Sequence, residues 1–297
     1  MSTEIRIDAL LPAEMATRAE YVGVRKAETP VMKMFALAVL AGAFIALGAI
    51  FATTISSGSI PVRAADGALV FSSGLPYGVT RLLSGVVFCL GLILVVVGGA
   101  ELFTGNNLIV MAWASRKVTT AALLKNWLIV YIGNFVGSVG TAIVLFLSKQ
   151  YTFGANSVGL TALNIAKSKV ELEFVQALAL GILCNALVCL AVWMTFSARS
   201  TLDKIAAIIF PITGFVAAGF EHSIANMYFI PIGIFIKQFA SQGFWDAIGK
   251  TPADFASITW NAFVIKNLIP VTIGNIIGGV FLVAAIYWMI FLRPSER

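Results

Sequence analysis

The chain has 297 residues, of which 59% are hydrophobic and only 11% charged, and its mean hydropathy of +0.94 excludes a water-soluble fold. Its net charge of +6 comes from Lys and Arg that punctuate apolar stretches rather than cluster, which excludes a nucleic-acid surface and fits cations marking the ends of membrane helices. Cys89, Cys184 and Cys189 lie singly in apolar runs and there is one histidine, so the sequence calls for no metal, no cofactor and no catalytic constellation.

Residues 1–32 carry five acidic side chains by Glu28 and no apolar signal core, so this segment reads as an amphipathic helix at the interface or in the cytoplasm. A single membrane domain, 33–297, follows. Its first span runs from about Lys33 to Ile55, since roughly 20 apolar residues cross a hydrocarbon core of ~30 Å. The region from Arg81 to Ser115 is too long for one straight helix, which would reach ~52 Å. It is interrupted at Glu101-Leu-Phe-Thr-Gly-Asn-Asn107. The third span covers about Asn126 to Leu147, and a polar connector containing Lys149, Lys167 and Lys169 leads to the fourth, Phe174 to Phe196. The fifth begins near Lys204, is interrupted at Gly219-Phe-Glu-His-Ser223, and resumes to Lys237; the sixth runs from Val264 to Leu292 past Pro270. With both termini in the cytoplasm, twelve Lys and Arg lie inside and eight outside, the favoured sense.

An internal repeat runs through these spans. Asn126-Trp-Leu-Ile-Val-Tyr-Ile-Gly-Asn-Phe-Val-Gly137 matches Asn267-Leu-Ile-Pro-Val-Thr-Ile-Gly-Asn-Ile-Ile-Gly278, and Gly99-Ala-Glu101 matches Gly219-Phe-Glu221. Repeats of three spans, 33–148 and 174–292, must cross the membrane in opposite senses, so their broken helices meet near its middle. The expected fold is therefore all-α, with six transmembrane helices in an inverted three-helix repeat and the second and fifth helices broken.

A broken helix at membrane depth must be buried in protein or line a cavity, because its free backbone groups cannot face lipid. Ionisable groups placed there mark function by default. His222 sits at the second break, where a neutral imidazole can donate to an anion and can also carry a proton. Glu101 and Glu221 each lie where a half-helix begins, so their carboxylates are expected to accept from free backbone amides and hold the breaks open. Asn106, Asn107 and Asn226 are expected to tie down backbone, and Gly133, Gly137, Gly274 and Gly278 to permit close packing.

These segments, with Lys125-Asn-Trp-Leu, Gly181-Ile-Leu-Cys-Asn-Ala-Leu-Val-Cys-Leu-Ala-Val-Trp-Met194 and Gly219-Phe-Glu-His-Ser-Ile-Ala-Asn-Met227, resemble the formate-nitrite transporters, most closely their formate channel branch. The resemblance implies an aquaporin-like protomer in a homopentamer of the bacterial inner membrane, each protomer with its own pore through the bilayer. It implies that His222, Thr104, Asn275 and Asn185 contact substrate. Phe88, Leu92 and Phe215 fall at implied hydrophobic constrictions, with Leu102 and Val188 at the inner one. The implied function is permeation of formate or a similar small anion, linked to protons at His222. Nitrite or hydrosulfide as substrate, and obligatory formate/proton symport, are the alternatives, whereas a water or polyol channel lacks its Asn-Pro-Ala pair here.

Overall fold

The computed structural model describes residues 9–57, 60–63 and 69–294; the first eight residues of the amino-terminal segment lie outside these. Helix α1, Pro12–Ala27, opens on proline, the one residue whose missing N–H costs nothing at a helix start. Its last turn carries Arg25 and Lys26 at the negative end of the helix dipole. One face of this helix packs on the bundle. Its small face of Ala16, Ala19 and Gly23 is buried, and Gly23 lies close against Ile109 and Ala112.

Among the described residues, six helices are long and apolar enough to cross a membrane: α2 (Val31–Ser56), α3 (Tyr77–Gly98), α5 (Thr120–Leu147), α7 (Phe174–Thr195), α8 (Thr201–Ala218) and the continuous helix Ala262–Phe291. Between α2 and α3 is an antiparallel hairpin of β1 (Ile60–Arg63) and β2 (Leu69–Ser73). After the short α10 (Gln242–Ile248), the last span contains α11 (Ile269–Gly279) and α12 (Ile286–Phe291), with wider π-type turns at Ala262–Leu268 and Val280–Ala285. The first of these turns precedes Pro270, whose missing N–H breaks the regular hydrogen-bond ladder.

Helix packing rests on small residues. Helix α2 packs on α3 and α5, and α7 packs on α11. A methyl group at Gly137 would overlap the Val39 carbonyl oxygen, and one at Gly278 would overlap that of Ile182. Backbones therefore meet directly at both crossings, as close packing in a membrane requires. Large apolar residues such as Leu128, Phe210 and Phe281 are exposed on the outside of the bundle.

Helix α3 stops where Gly99 takes φ 77°, and after an irregular stretch the chain resumes as a 3₁₀ turn, Gly105–Ile109, and the short α4, Val110–Ala114. Helix α8 stops in the same way at Gly219, φ 78°, before α9, Ser223–Phe239. Both glycines occupy the left-handed conformation that ends helices and that a Cβ disfavours. Helix α6, Ser157–Val170, packs beside α9.

Ser200 starts α8 with a reciprocal cap. Its hydroxyl accepts from Asp203 N at 3.1 Å, and the Asp203 carboxylate accepts from Ser200 N at 2.9 Å. Ser200→Ala is expected to cost about 1 kcal/mol, read as a lower unfolding midpoint in detergent with the folded state intact.

Candidate functional site

The two interruptions are held by matching side-chain clusters. At the first, Lys26 Nζ donates to Glu101 Oε1 at 2.9 Å, and Asn106 Nδ2 donates to Glu101 Oε2 at 2.7 Å and to Asn126 Oδ1 at 2.9 Å. At the second, Lys169 Nζ donates to Glu221 Oε1 at 2.7 Å, and Asn226 Nδ2 donates to Glu221 Oε2 and to Asn267 Oδ1, both at 2.7 Å. Asn126 and Asn267 close each ring on the backbone oxygen of Lys26 and Lys169 respectively. Helices α1 and α6 thus play the same part, one at each break.

The carboxylates do not serve the free amides as expected from their position at half-helix starts. Asparagines do so instead. Asn134 Oδ1 accepts from Phe103 N, and Asn275 Oδ1 accepts from Ser223 N, both at 2.9 Å. Each of these asparagines also donates twice to backbone, Asn134 to Ala38 O and Glu101 O, Asn275 to Gly181 O and Glu221 O. Asn106 and Asn226 likewise donate to side chains rather than tying down backbone, whereas Asn107 donates to Phe103 O.

Between the clusters, Thr104 and His222 meet at 3.0 Å through Oγ1 and Nε2, both residues buried. His222 is also the cap of α9: its Nδ1 accepts from Ala225 N at 3.1 Å. A neutral imidazole carries one ring hydrogen, so with Nδ1 accepting, that hydrogen is on Nε2 and points at Thr104 Oγ1. The Thr104 hydroxyl hydrogen is then left to donate to a third group.

Two cavities approach this pair. One, of about 280 Å³, is lined by Phe88, Phe215, His222, Lys169, Glu221 and Arg81. The other, of about 300 Å³, is lined by Leu92, Leu102, Lys26, Glu101, Arg18 and Lys204. At the floor of the first, Phe88 meets Phe215 edge-on at 5.6 Å, and the Phe215 ring stacks on His222 at 5.9 Å. Leu92 and Leu102 are buried at the floor of the second.

The residues singled out in the sequence therefore divide. His222, Phe88 and Phe215 line the first cavity and Leu92 and Leu102 the second, while Thr104 lines neither and joins the group through its contact with His222. Val188 is buried but lines neither cavity. Asn275 has both amide hydrogens engaged by backbone and none left for substrate. Asn185 is turned toward Thr104 O, Asn107 Oδ1 and Asn275 O, which also occupies its amide hydrogens. Sequence reasoning missed Lys26 and Lys169, which it assigned to polar segments outside the membrane. The repeat carried a partial signal, since Asn126 and Asn267 open the two matched segments.

Six membrane-length helices around a buried polar pair define a polytopic α-helical membrane protein. The formate/nitrite transporter family model matches residues 13–289, and the chain belongs to that family. It is 46% identical to the formate channel FocA of Escherichia coli (strain K12) over 297 residues, the whole of both chains. It is 42% identical to FocA of Haemophilus influenzae over 271 residues, 91% of each. A solved pentameric formate channel with formate bound superposes with a TM-score of 0.80 at 44% identity, covering 89% of this chain and 98% of that one.

Proposed function

We propose that this protein is a formate channel of the bacterial inner membrane, a homopentamer whose every protomer conducts through the Thr104–His222 pair. The observation that carries this reading is that pair, buried at 3.0 Å contact between two cavities. The full-length likeness to formate channels supports formate among the small anions. The protomer is an inverted repeat, 33–148 against 174–292, with α1 and α6 as equivalent additions and both termini in the cytoplasm.

A carboxylate cannot enter the apolar floors of the cavities cheaply, since an unpaired charge loses its hydration there. Desolvation favours the neutral acid. Formate accepts from the free Thr104 hydroxyl and takes its hydrogen, Thr104 takes the Nε2 hydrogen of His222 in its place, Nδ1 takes a proton from the first cavity, and formic acid crosses neutral. Ala225, whose amide must release Nδ1 for this relay, itself lines that cavity. Asn275 and Asn185 hold the site's shape: the first fixes Ser223, the second the Thr104 carbonyl.

The test is counterflow in proteoliposomes with formate, nitrite and hydrosulfide compared at several pH values. Formate flux is expected to rise as pH falls and to lose that dependence in His222→Ala. Flux indifferent to pH in both proteins would sink the proton-linked scheme, and turnover no faster than a carrier's would favour symport. Thr104→Val keeps the side chain's shape but removes the donor, so stopped-flow formate influx is expected to drop about tenfold, the scale of one hydrogen bond to a charged group. Thr104→Ser should retain most of the flux.

A further inference from the structure

Arg81 projects from α3 to the end of the other interrupted helix. Its Nε donates to Ala217 O at 3.1 Å and its Nη2 to Val216 O, the last-turn carbonyls of α8. A Cβ at Gly219 would sit 3.3 Å from the same Nη2, so the guanidinium lies against the break itself. The last carbonyls of a helix have no intrahelical partner and carry the negative end of its dipole. In this protein that end faces the cavity leading to Thr104 and His222.

The second cavity repeats the arrangement with the roles exchanged. Helix α3 ends there at residues 97–99, which are exposed, and the cavity is also lined by Lys204, from the first turn of α8. Lys204 Nζ has no ion-pair or hydrogen-bond partner among the described residues. Arg81 and Lys204 are not equivalent positions in the two repeats. Each nevertheless stands on an interrupted helix of one repeat and faces the cavity in which the interrupted helix of the other ends.

Charge cancellation makes these two residues matter. Lys169 is paired with Glu221 and Lys26 with Glu101, so neither lysine leaves a net charge on its cavity wall. Among the charged residues lining the first cavity, Arg81 alone is uncancelled. In the second, Lys204 and Arg18 are uncancelled, and Arg18 is turned onto Phe196 O at 3.1 Å.

We infer that Arg81 and Lys204 are crossed specificity residues, each offsetting the negative end of the opposite half-helix so that an anion meets a positive approach from either side. The inference rests on the anion-channel reading above. It is tested with formate uptake into proteoliposomes reconstituted in one orientation, using malonate, a dicarboxylate too large to pass, as a blocker added to one face at a time. Arg81→Gln is expected to raise the half-blocking malonate concentration about fivefold from the face of the first cavity, the scale of one screened unit charge nearby, with the other face unchanged. Lys204→Gln should give the mirror result. Arg81→Lys should restore block, because it keeps the charge while losing the paired carbonyl contacts.

Block unchanged in both glutamine variants, or weakened equally from both faces, overturns the inference while leaving formate conduction standing. Failure of Arg81→Lys to restore block also overturns it, by showing a capping role alone. Should Arg81→Gln not fold, Lys204→Gln decides the matter, since it removes no side-chain hydrogen bond or ion pair among the described residues. Absence of formate uptake by the wild-type protein defeats both this inference and the proposed function.

Discussion

Lys169→Met is expected to destabilise the protein by about 3–5 kcal/mol, because it leaves the Glu221 carboxylate buried without its cation. The Glu221 side chain is only 5% exposed and that of Lys169 14%. Water from the cavity that Glu221 lines can therefore replace only a small part of the lost partner. The cluster couples further, since the same carboxylate accepts from Asn226 and Asn267. The double variant Lys169→Met, Glu221→Met should recover part of the loss by removing the stranded charge, but not all, because Asn226 and Asn267 then lack their acceptor. Lys26→Met should cost less than Lys169→Met, since the Lys26 side chain is 27% exposed. Unfolding midpoints of these three variants, of Glu221→Met alone and of the wild type in one detergent check the order, and strict additivity of the two changes at Lys169 and Glu221 would refute the coupled cluster.

Gly278→Ala should be nearly as damaging although it adds one methyl group. That methyl would overlap the Ile182 carbonyl oxygen, which belongs to helix backbone and cannot turn aside, so α7 and α11 must separate. Overpacking typically costs about 1–3 kcal/mol and occasionally more, and overlap with helix backbone puts this site at the upper end. Gly140→Ala is the control, because a Cβ there meets nothing within 4 Å. It should be neutral or stabilise α5 by up to about 1 kcal/mol, the helix propensity difference between the two residues. Equal unfolding midpoints for Gly278→Ala and Gly140→Ala would remove direct backbone contact as the basis of the α7–α11 crossing.

Most of the architecture was legible in the sequence because spans are set by a local quantity, the length of an apolar run against the thickness of a bilayer. The breaks showed as polar residues where that length was exceeded, and Gly99 and Gly219 marked their edges. His222 and Thr104 could be named from motifs, and they do meet. The roles of the asparagines were less accessible. The family resemblance implied that Asn275 contacts substrate, but its contacts with Ser223 N, Gly181 O and Glu221 O show that its amide hydrogens are already engaged.

The same limit explains the carboxylates. Placed at half-helix starts, Glu101 and Glu221 invited a local assignment to nearby amides. Their cations come from Lys26 and Lys169, 75 and 52 residues away in the chain. Arg81 reaches carbonyls 135 and 136 residues distant. Thr104 and His222, 118 residues apart, were paired through the family resemblance; what could be read along the chain itself was six apolar stretches of membrane length, the polar residues that interrupt two of them, and small residues such as Gly137 and Gly278. These depend on hydropathy, helix periodicity and residue size, all local along the chain. The crossing of the helices settles which charges are paired, Lys26 with Glu101 and Lys169 with Glu221, and brings α1 to one interruption as it brings α6 to the other. Those outcomes depend on how helices far apart in sequence cross, and a side chain several ångströms long meets whatever partner that crossing brings within reach.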